Sequence, residues 1–522
     1  MELQTVYAPA VGEDAGQYAK KQKKIAFKAD IYDFIFAIAA FVLGYLFSRW
    51  VLFAGQGWGV SVFATAYLTS VTAYLKKKGA LIWSREAIFW MAVTWAAGLS
   101  YALWENISIA PHRILFIFCS AVYYVIVASD RAIMGKTSNF LLIDALNTVI
   151  IVPFRNFINQ YLSFAVIRKY ERVKGKYLSV VIGVALALVL ASVLIPLLVR
   201  ADSGGFRMIL DYISTILNKI RLSEFLFYFV VALPIAAYIY GLVSGAAHNR
   251  GADAIKPEAA KRLVDKMRIF QPVTVFIVLG AVCGLYLVFI LSQIPYFFSA
   301  FTGKRPEGWL IYSEYARHGF FELCGIAAIN LGIVTICSVS CKKARSKSRA
   351  LKAFIAALAV ITLTLIATAM SKMALYVSVY GLSMPRLLPC VLMVFMAVVF
   401  IALIALQKWD FSIVRFALIT GSAILCVLCL SNPDAAVVRY NTDRHMSGTL
   451  PAYDVEILYR AGSAGVLPAL DVFEWTDDMQ LRREISTYFQ IMGVRLANAD
   501  AHTKSFETYR IRPEMLFRDM GD

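Results

Sequence analysis

Apolar stretches of about 20 residues recur along most of this chain, with short polar breaks between them. A helix rises 1.5 Å per residue and a hydrocarbon core is about 30 Å thick, so about 20 apolar residues suffice to cross it. Runs that meet this test lie at 31–53, 57–75, 86–104, 113–129, 177–199, 223–244, 269–291, 319–339, 352–371, 386–407 and 412–430. A lipid-embedded segment must satisfy its own backbone hydrogen bonds, which favours helices. The pattern therefore predicts an all-α fold: a polytopic transmembrane helical bundle of about eleven spans.

The charge balance fits the same reading. Lys and Arg number 52 against 34 Asp and Glu, a net +18. A nucleic-acid binder can show such an excess. Here the basic residues fall in short clusters between apolar runs, among them Lys76-Lys77-Lys78, Arg168 to Lys176, Arg250 to Arg268 and Lys342 to Lys352. The expected partner is a lipid bilayer, with no nucleic acid. By the positive-inside rule these loops face the cytoplasm of a bacterial plasma (inner) membrane within the cell envelope. The basic segment 1–30 is then cytoplasmic, 31–430 is the transmembrane domain, and an odd span count puts 431–522 outside.

Two stretches are too polar for simple spans. Residues 138–167 mix apolar side chains with Asp144, Asn147, Pro153, Arg155, Asn156 and Asn159. An interfacial helix accounts for the mixture, and a broken or re-entrant segment is the alternative. Residues 205–221 carry apolar residues at helical spacing and read as a second interfacial helix.

Beyond 430 the composition changes. Apolar residues such as Val455, Leu458, Leu470, Phe473, Ile485 and Phe489 recur at helical intervals in a charged background. This predicts a small helical extracytoplasmic domain, with Asp434, Ser463 and Asp477 as candidate N-caps. The eight cysteines lie in or beside apolar runs, and Cys426-Val-Leu-Cys429 sits inside a span. No disulfide framework, metal cluster or cofactor motif is expected.

The densest chemistry is the stretch from Tyr312 to Leu323. In a helix, Glu314 and His318 are i,i+4 neighbours, as are His318 and Glu322, and Arg317 lies three residues from Glu314. A histidine between carboxylates suits a proton relay or general base, and an ion-pair cluster anchoring a helix end is the plainer reading. Lys372 and Arg386 are cations on the same expected outer side, placed to pair with that cluster or to hold an anionic lipid or small-molecule ligand. Asn330, deeper in its span, reads as glue between helices.

Three stretches carry a resemblance. They are Glu314-Tyr315-Ala316-Arg317 with Gly319 to Leu323, then Met373 to Arg386. The third is Asn432 to Leu470, with Arg439-Tyr440-Asn441 leading to Tyr459 and Val466-Leu467-Pro468-Ala469-Leu470. In this order they resemble bacterial multi-pass membrane proteins catalogued as a domain of unknown function, in two sister groups. The resemblance implies the fold and the membrane location, marks Arg439, Asn441, Tyr459 and Pro468 as a tail motif, and implies no activity. Three functions stay open: a transport, channel-like or sensing component, with the tail binding a protein partner or ligand; a transferase acting on a lipid-linked or acyl substrate at the outer leaflet; or a structural assembly factor.

Overall fold

The computed structural model describes residues 27–132, 137, 138, 140–164, 222–249, 265–302, 320–342, 348–450 and 452–516, with isolated helical positions at 183, 187, 190, 194, 198 and 262. Among them every regular element is helical, and a lone bridge joins Phe270 to Cys341.

Helix α1 (Ile31–Leu46) starts at a reciprocal cap: the Asp30 side chain accepts from the Tyr32 and Asp33 backbone, and Asp33 reaches back to the Asp30 N–H. It continues as a π-helical turn, Phe47–Phe53. Helices α2 (Trp58–Lys77), α3 (Arg85–Leu103), α4 (Ala110–Ala128) and α5 (Leu222–Ala247) pack with it into an N-terminal bundle. Its core includes Phe36, Tyr67, Tyr74, Trp90, Tyr124 and Tyr240. Helices α6 (Pro272–Thr302), α7 (Phe320–Ser340), α8 (Arg349–Tyr380) and α9 (Met384–Ala405) form a second bundle around Leu279, Phe320, Leu358, Leu365 and Phe400. Helix α10 (Ile413–Leu430) lies between α3 and α9 and joins the two.

Among the described residues, eight helical segments are long and apolar enough to cross a membrane: Ile31–Phe53, Ile107–Ala128, Ser223–Ala247, Pro272–Ser292, Phe320–Ser340, Arg349–Tyr380, Met384–Ala405 and Ile413–Leu430. Helices α2 and α3 have similar lengths, are more polar, and pack against α1 and α4. The run at 177–199 lies outside the described residues apart from its isolated helical positions, and 205–221 lies outside them altogether. On α6 the side chains of Val273, Ile277, Leu285, Val288 and Leu291 are exposed. Such a face is stable only against an apolar solvent, so the fold is that of a membrane protein. Asn330 does act between helices: it accepts from the Tyr286 hydroxyl at 2.8 Å and donates to Thr362 Oγ1 at 2.9 Å, tying α7 to α6 and α8.

The antiparallel packing sorts the helix ends onto two faces. One face gathers Lys78, His248, Arg415 and the Lys352 amine, which reaches the Gln407 carbonyl; it is called the basic face below. The other carries the loops at 54–57, 104–109 and 381–383 and the end of α10. The tail domain covers this second face.

That domain comprises α11 (Pro433–Met446), α12 (Glu456–Ala461), α13 (Val466–Trp475), α14 (Met479–Asn498) and α15 (Phe506–Arg510), around Val438, Leu458, Val472, Ile485 and Tyr488. The caps differ from those expected. Asn432, in the left-handed region, caps α11 and Asp478 caps α14. Asp434 and Ser463 are instead drawn into contacts with the membrane helices, which compete for the same short polar side chains.

Between α4 and α5, residues 140–164 form a broken helix: Leu141–Leu146, a π-helical turn Asn147–Ile151, Val152–Arg155, and after a break Asn159–Ser163. It packs against α1 and α5 near the basic face.

Candidate functional site

Among the described residues the tail domain is tied to the membrane bundle chiefly at three loops, and Arg444 adds a bond to the Val377 carbonyl of α8 at 3.1 Å. At the first, Trp58 donates its backbone N–H to Lys504 O at 3.2 Å and its indole N–H to Ala501 O at 2.9 Å. At the second, the Asn441 side chain behaves like a strand neighbour of Leu382: it accepts from the Leu382 N–H at 2.8 Å and donates to the Leu382 carbonyl at 2.7 Å. Gly381, at φ +76°, makes room for it, since an added Cβ there would overlap Asn441 Oδ1.

The third loop, between α3 and α4, holds a buried charge network. Glu105 pairs with Arg495 of α14, and its other oxygen accepts from the Ser463 N–H at 2.9 Å and the Ser463 hydroxyl. The Glu105 N–H donates to Glu507 Oε2 at 3.2 Å, and Asn432 Nδ2 donates to Glu507 Oε1 at 2.6 Å. Asp434 accepts from the Ser108 N–H at 3.1 Å. Beneath them Arg113, 2% exposed, stacks on the Tyr101 ring at 3.7 Å and donates to the Glu105 carbonyl at 2.7 Å and the Ser100 hydroxyl at 3.2 Å. Its Nε, the Tyr101 hydroxyl and Asn106 Oδ1 are buried without a hydrogen-bond partner among the described residues. Burial, and secondarily the Glu105 charge, hold the Asp434 and Glu507 carboxyls above the usual carboxylate range against the bonds that favour their ionised forms.

A second network sits at the basic face. Asp33, fully buried, accepts from the Tyr74 hydroxyl at 2.6 Å, His248 Nε2 at 2.9 Å, Lys78 Nζ at 2.8 Å and the Asp30 N–H at 2.8 Å. It thus ties the ends of α1, α2 and α5. Polar side chains continue inward from it. Gln160 donates to the Ala37 carbonyl at 3.1 Å, one turn above Asp33, and its Oε1 is buried without a partner among the described residues. The Tyr240 hydroxyl meets Ser163 Oγ at 2.6 Å, Ser163 donates to the Asn159 carbonyl, and Asn159 donates to Asn156 at 2.9 Å. Phe36 stacks on Tyr74 and lies beside Tyr240, so the two tyrosines flank a single ring.

The residues singled out in the sequence fare unevenly. Glu314, Arg317 and His318 lie outside the described residues. Glu322, in the first turn of α7, and Lys372 on α8 are close enough for their charges to interact. Arg386 lies 4.3 Å over the Tyr376 ring and donates to the carbonyls of Tyr380 and Gly381, closing the end of α8. In the tail, Asn441 is the docking side chain. Arg439 makes an exposed pair with Asp443 at 3.9 Å, Tyr459 packs edge-on to Tyr488 at 5.3 Å, and Pro468 is buried in α13.

Neither buried network follows from sequence spacing. Arg113 was a visible signal, a cation at the start of an apolar run, and Gly241-x-x-x-Gly245 was another. An added Cβ at Gly241 would overlap the Pro153 carbonyl, and one at Gly245 would stand 2.5 Å from Asn156 Nδ2, so this spacing is what admits the broken segment.

A family model described as Domain of unknown function (DUF4153) matches residues 91–472. No curated protein and no solved structure matches the chain.

Proposed function

The chain belongs to the family described as Domain of unknown function (DUF4153), which supplies no activity, and we propose from its geometry that the N-terminal bundle is a transport unit for protons or small cations. The carrying observation is the inverted polarity of residues 140–164. Leu146, Ile150, Phe154, Ile158 and Leu162 point outward and are exposed, whereas Asn147, Thr148, Asn156, Asn159, Gln160 and Ser163 are buried. An interfacial helix turns its polar side to water. A segment with the opposite arrangement suits lipid outside and a polar interior, and broken helices at membrane depth are tolerated where they face protein or a polar path. This supports the broken, membrane-immersed reading of the segment.

Two polar clusters face each other across the Phe36 ring: His248, Lys78, Asp33 and Tyr74 at the basic face, and Tyr240, Ser163, Asn159 and Asn156 beside it. Hydroxyl and amide groups can pass protons or replace part of a cation's hydration shell, and the negative Asp33 favours cations over anions. The full-length protein, reconstituted in liposomes with a trapped pH dye and sodium indicator, should carry one of these ions down an imposed potential. Gln160→Leu and Asn156→Leu should each lower that flux about tenfold, the effect of about 1.4 kcal/mol on a barrier. Flux equal to that of protein-free liposomes for both ions would end the reading.

The proposal extends to sidedness. The basic face is the cytoplasmic face of a bacterial plasma membrane, and residues 431–522 form an extracytoplasmic domain, as the positive-inside rule implies. Ser447 is exposed at the end of α11. In a chain whose native cysteines are replaced, Ser447→Cys should react with a membrane-impermeant maleimide in intact cells. Reaction only after permeabilisation would reverse the orientation.

A further inference from the structure

We infer that the junction of Glu105 with the tail domain is a proton-binding site whose occupancy sets how firmly the tail holds the membrane bundle. The inference does not depend on the transport reading.

The argument begins with charge. Three carboxylates, Glu105, Asp434 and Glu507, meet two guanidinium groups, Arg113 and Arg495, leaving one negative charge in excess. Excess charge shielded from water is costly, and one proton removes it. The geometry shows where the proton is shared. The Ser463 hydroxyl donates to Glu105 Oε2 and lies 3.3 Å from Glu507 Oε2, so a single hydroxyl spans two carboxylates. Two carboxylates held that close do not both ionise freely. Asn106, next to Glu105 in the same loop, also has a buried Oδ1 that meets no donor among the described residues. The other titratable side chains facing the junction are Tyr101 on α3, Cys429 on α10 and Tyr488 on α14.

The sign follows from the raised proton affinities of Asp434 and Glu507. Both hold protons more tightly when docked than when released into water. Docking is therefore strongest toward the ordinary carboxylate range and weakens as pH rises through the raised values. On an outer face, such a junction would loosen the tail as the medium turns alkaline.

Hydrogen exchange on the full-length protein in lipid nanodiscs, between pH 5 and pH 8 and corrected for intrinsic rates, tests this. Protection of the backbone amides at 462–466 and 505–508 should fall at least tenfold across that range. Glu507→Gln removes the titrating acid and should abolish most of the dependence, at a lower overall protection because its NH2 must face Asn432 Nδ2 or the Glu105 N–H. Asp434→Asn should do the same in part, and serves if the first variant does not fold. Wild-type protection that is flat from pH 5 to pH 8, or a full dependence surviving in both variants, overturns the proposal.

Discussion

Glu105→Ala is expected to release the C-terminal domain from the membrane bundle while leaving both folded. The variant strands the Arg495 guanidinium and removes the acceptor for the Ser463 N–H and hydroxyl. The Arg495 side chain is 38% exposed, so water screens much of its lost pairing, and the larger cost is the buried Ser463 donors left without an acceptor, about 1–3 kcal/mol. At 1.4 kcal/mol per tenfold change, that weakens docking by roughly 5- to 100-fold. The tail has its own core around Val438, Leu458, Val472 and Ile485, so its helices should survive the loss. Limited proteolysis provides the readout. Cleavage near residues 499–505, which lie against Trp58 in the docked state, should accelerate strongly. Glu105→Gln keeps an acceptor for Ser463 and loses only the pairing charge, so it should lie between wild type and alanine. A Glu105→Ala protein digested at the wild-type rate would show that the network contributes little to docking.

Gly381→Ala should have the second large effect, at the opposite edge of the tail. Two costs fall on one residue. A side chain at φ +76° is strained by about 1–3 kcal/mol. The new Cβ also occupies the place of Asn441 Oδ1, so the paired bonds with Leu382 must be lost or badly bent. Each bond is worth about 0.5–1.5 kcal/mol, and a buried amide left unpaired costs more. Asn441→Ala separates these costs, since it loses the bonds without straining the backbone. Thermal unfolding in detergent should rank wild type above Asn441→Ala and Asn441→Ala above Gly381→Ala. If Gly381→Ala matches wild type, the loop relaxes and the glycine is not what seats the tail.

The two effects belong to one arrangement. A helical domain of modest size is held flat on a membrane bundle by backbone-like contacts at two loops and by buried charge at a third. The backbone-like contacts do not titrate, whereas the carboxylates do. A change in protonation would thus loosen one edge while the others act as hinges, a physical route by which the medium on that side could act on the bundle.

Much of this protein was legible in its sequence. Runs of apolar residues matched to the thickness of a bilayer show where helices lie, because lipid leaves no alternative way to satisfy the backbone, although α6 and α8 continue about ten residues past their expected ends. The helices at 31–53, 320–340, 384–405 and 413–430 fall close to the expected runs. Asn330 was readable as helix–helix glue for a similar reason: one amide in an apolar span must find a partner on a neighbour. Asn441 stood in a motif whose resemblance marked it, although nothing in the sequence said that it would bond Leu382, 59 residues away.

What only the tertiary structure decided is which polar residues meet. Glu105 and Arg495 are 390 positions apart, and Asp33 and His248 are 215 apart. Sequence neighbours such as Glu314 and His318 advertise a cluster because helical spacing is local, whereas charges joined across a bundle leave no periodic trace. The inward polarity of residues 140–164 is likewise invisible until the close approach at Gly241 and Gly245 shows which side faces protein. Hydropathy alone thus determined that the chain folds as a helical membrane protein, since transfer to lipid is summed over single residues. The candidate sites depend on pairwise distances, and those exist only once the helices are packed.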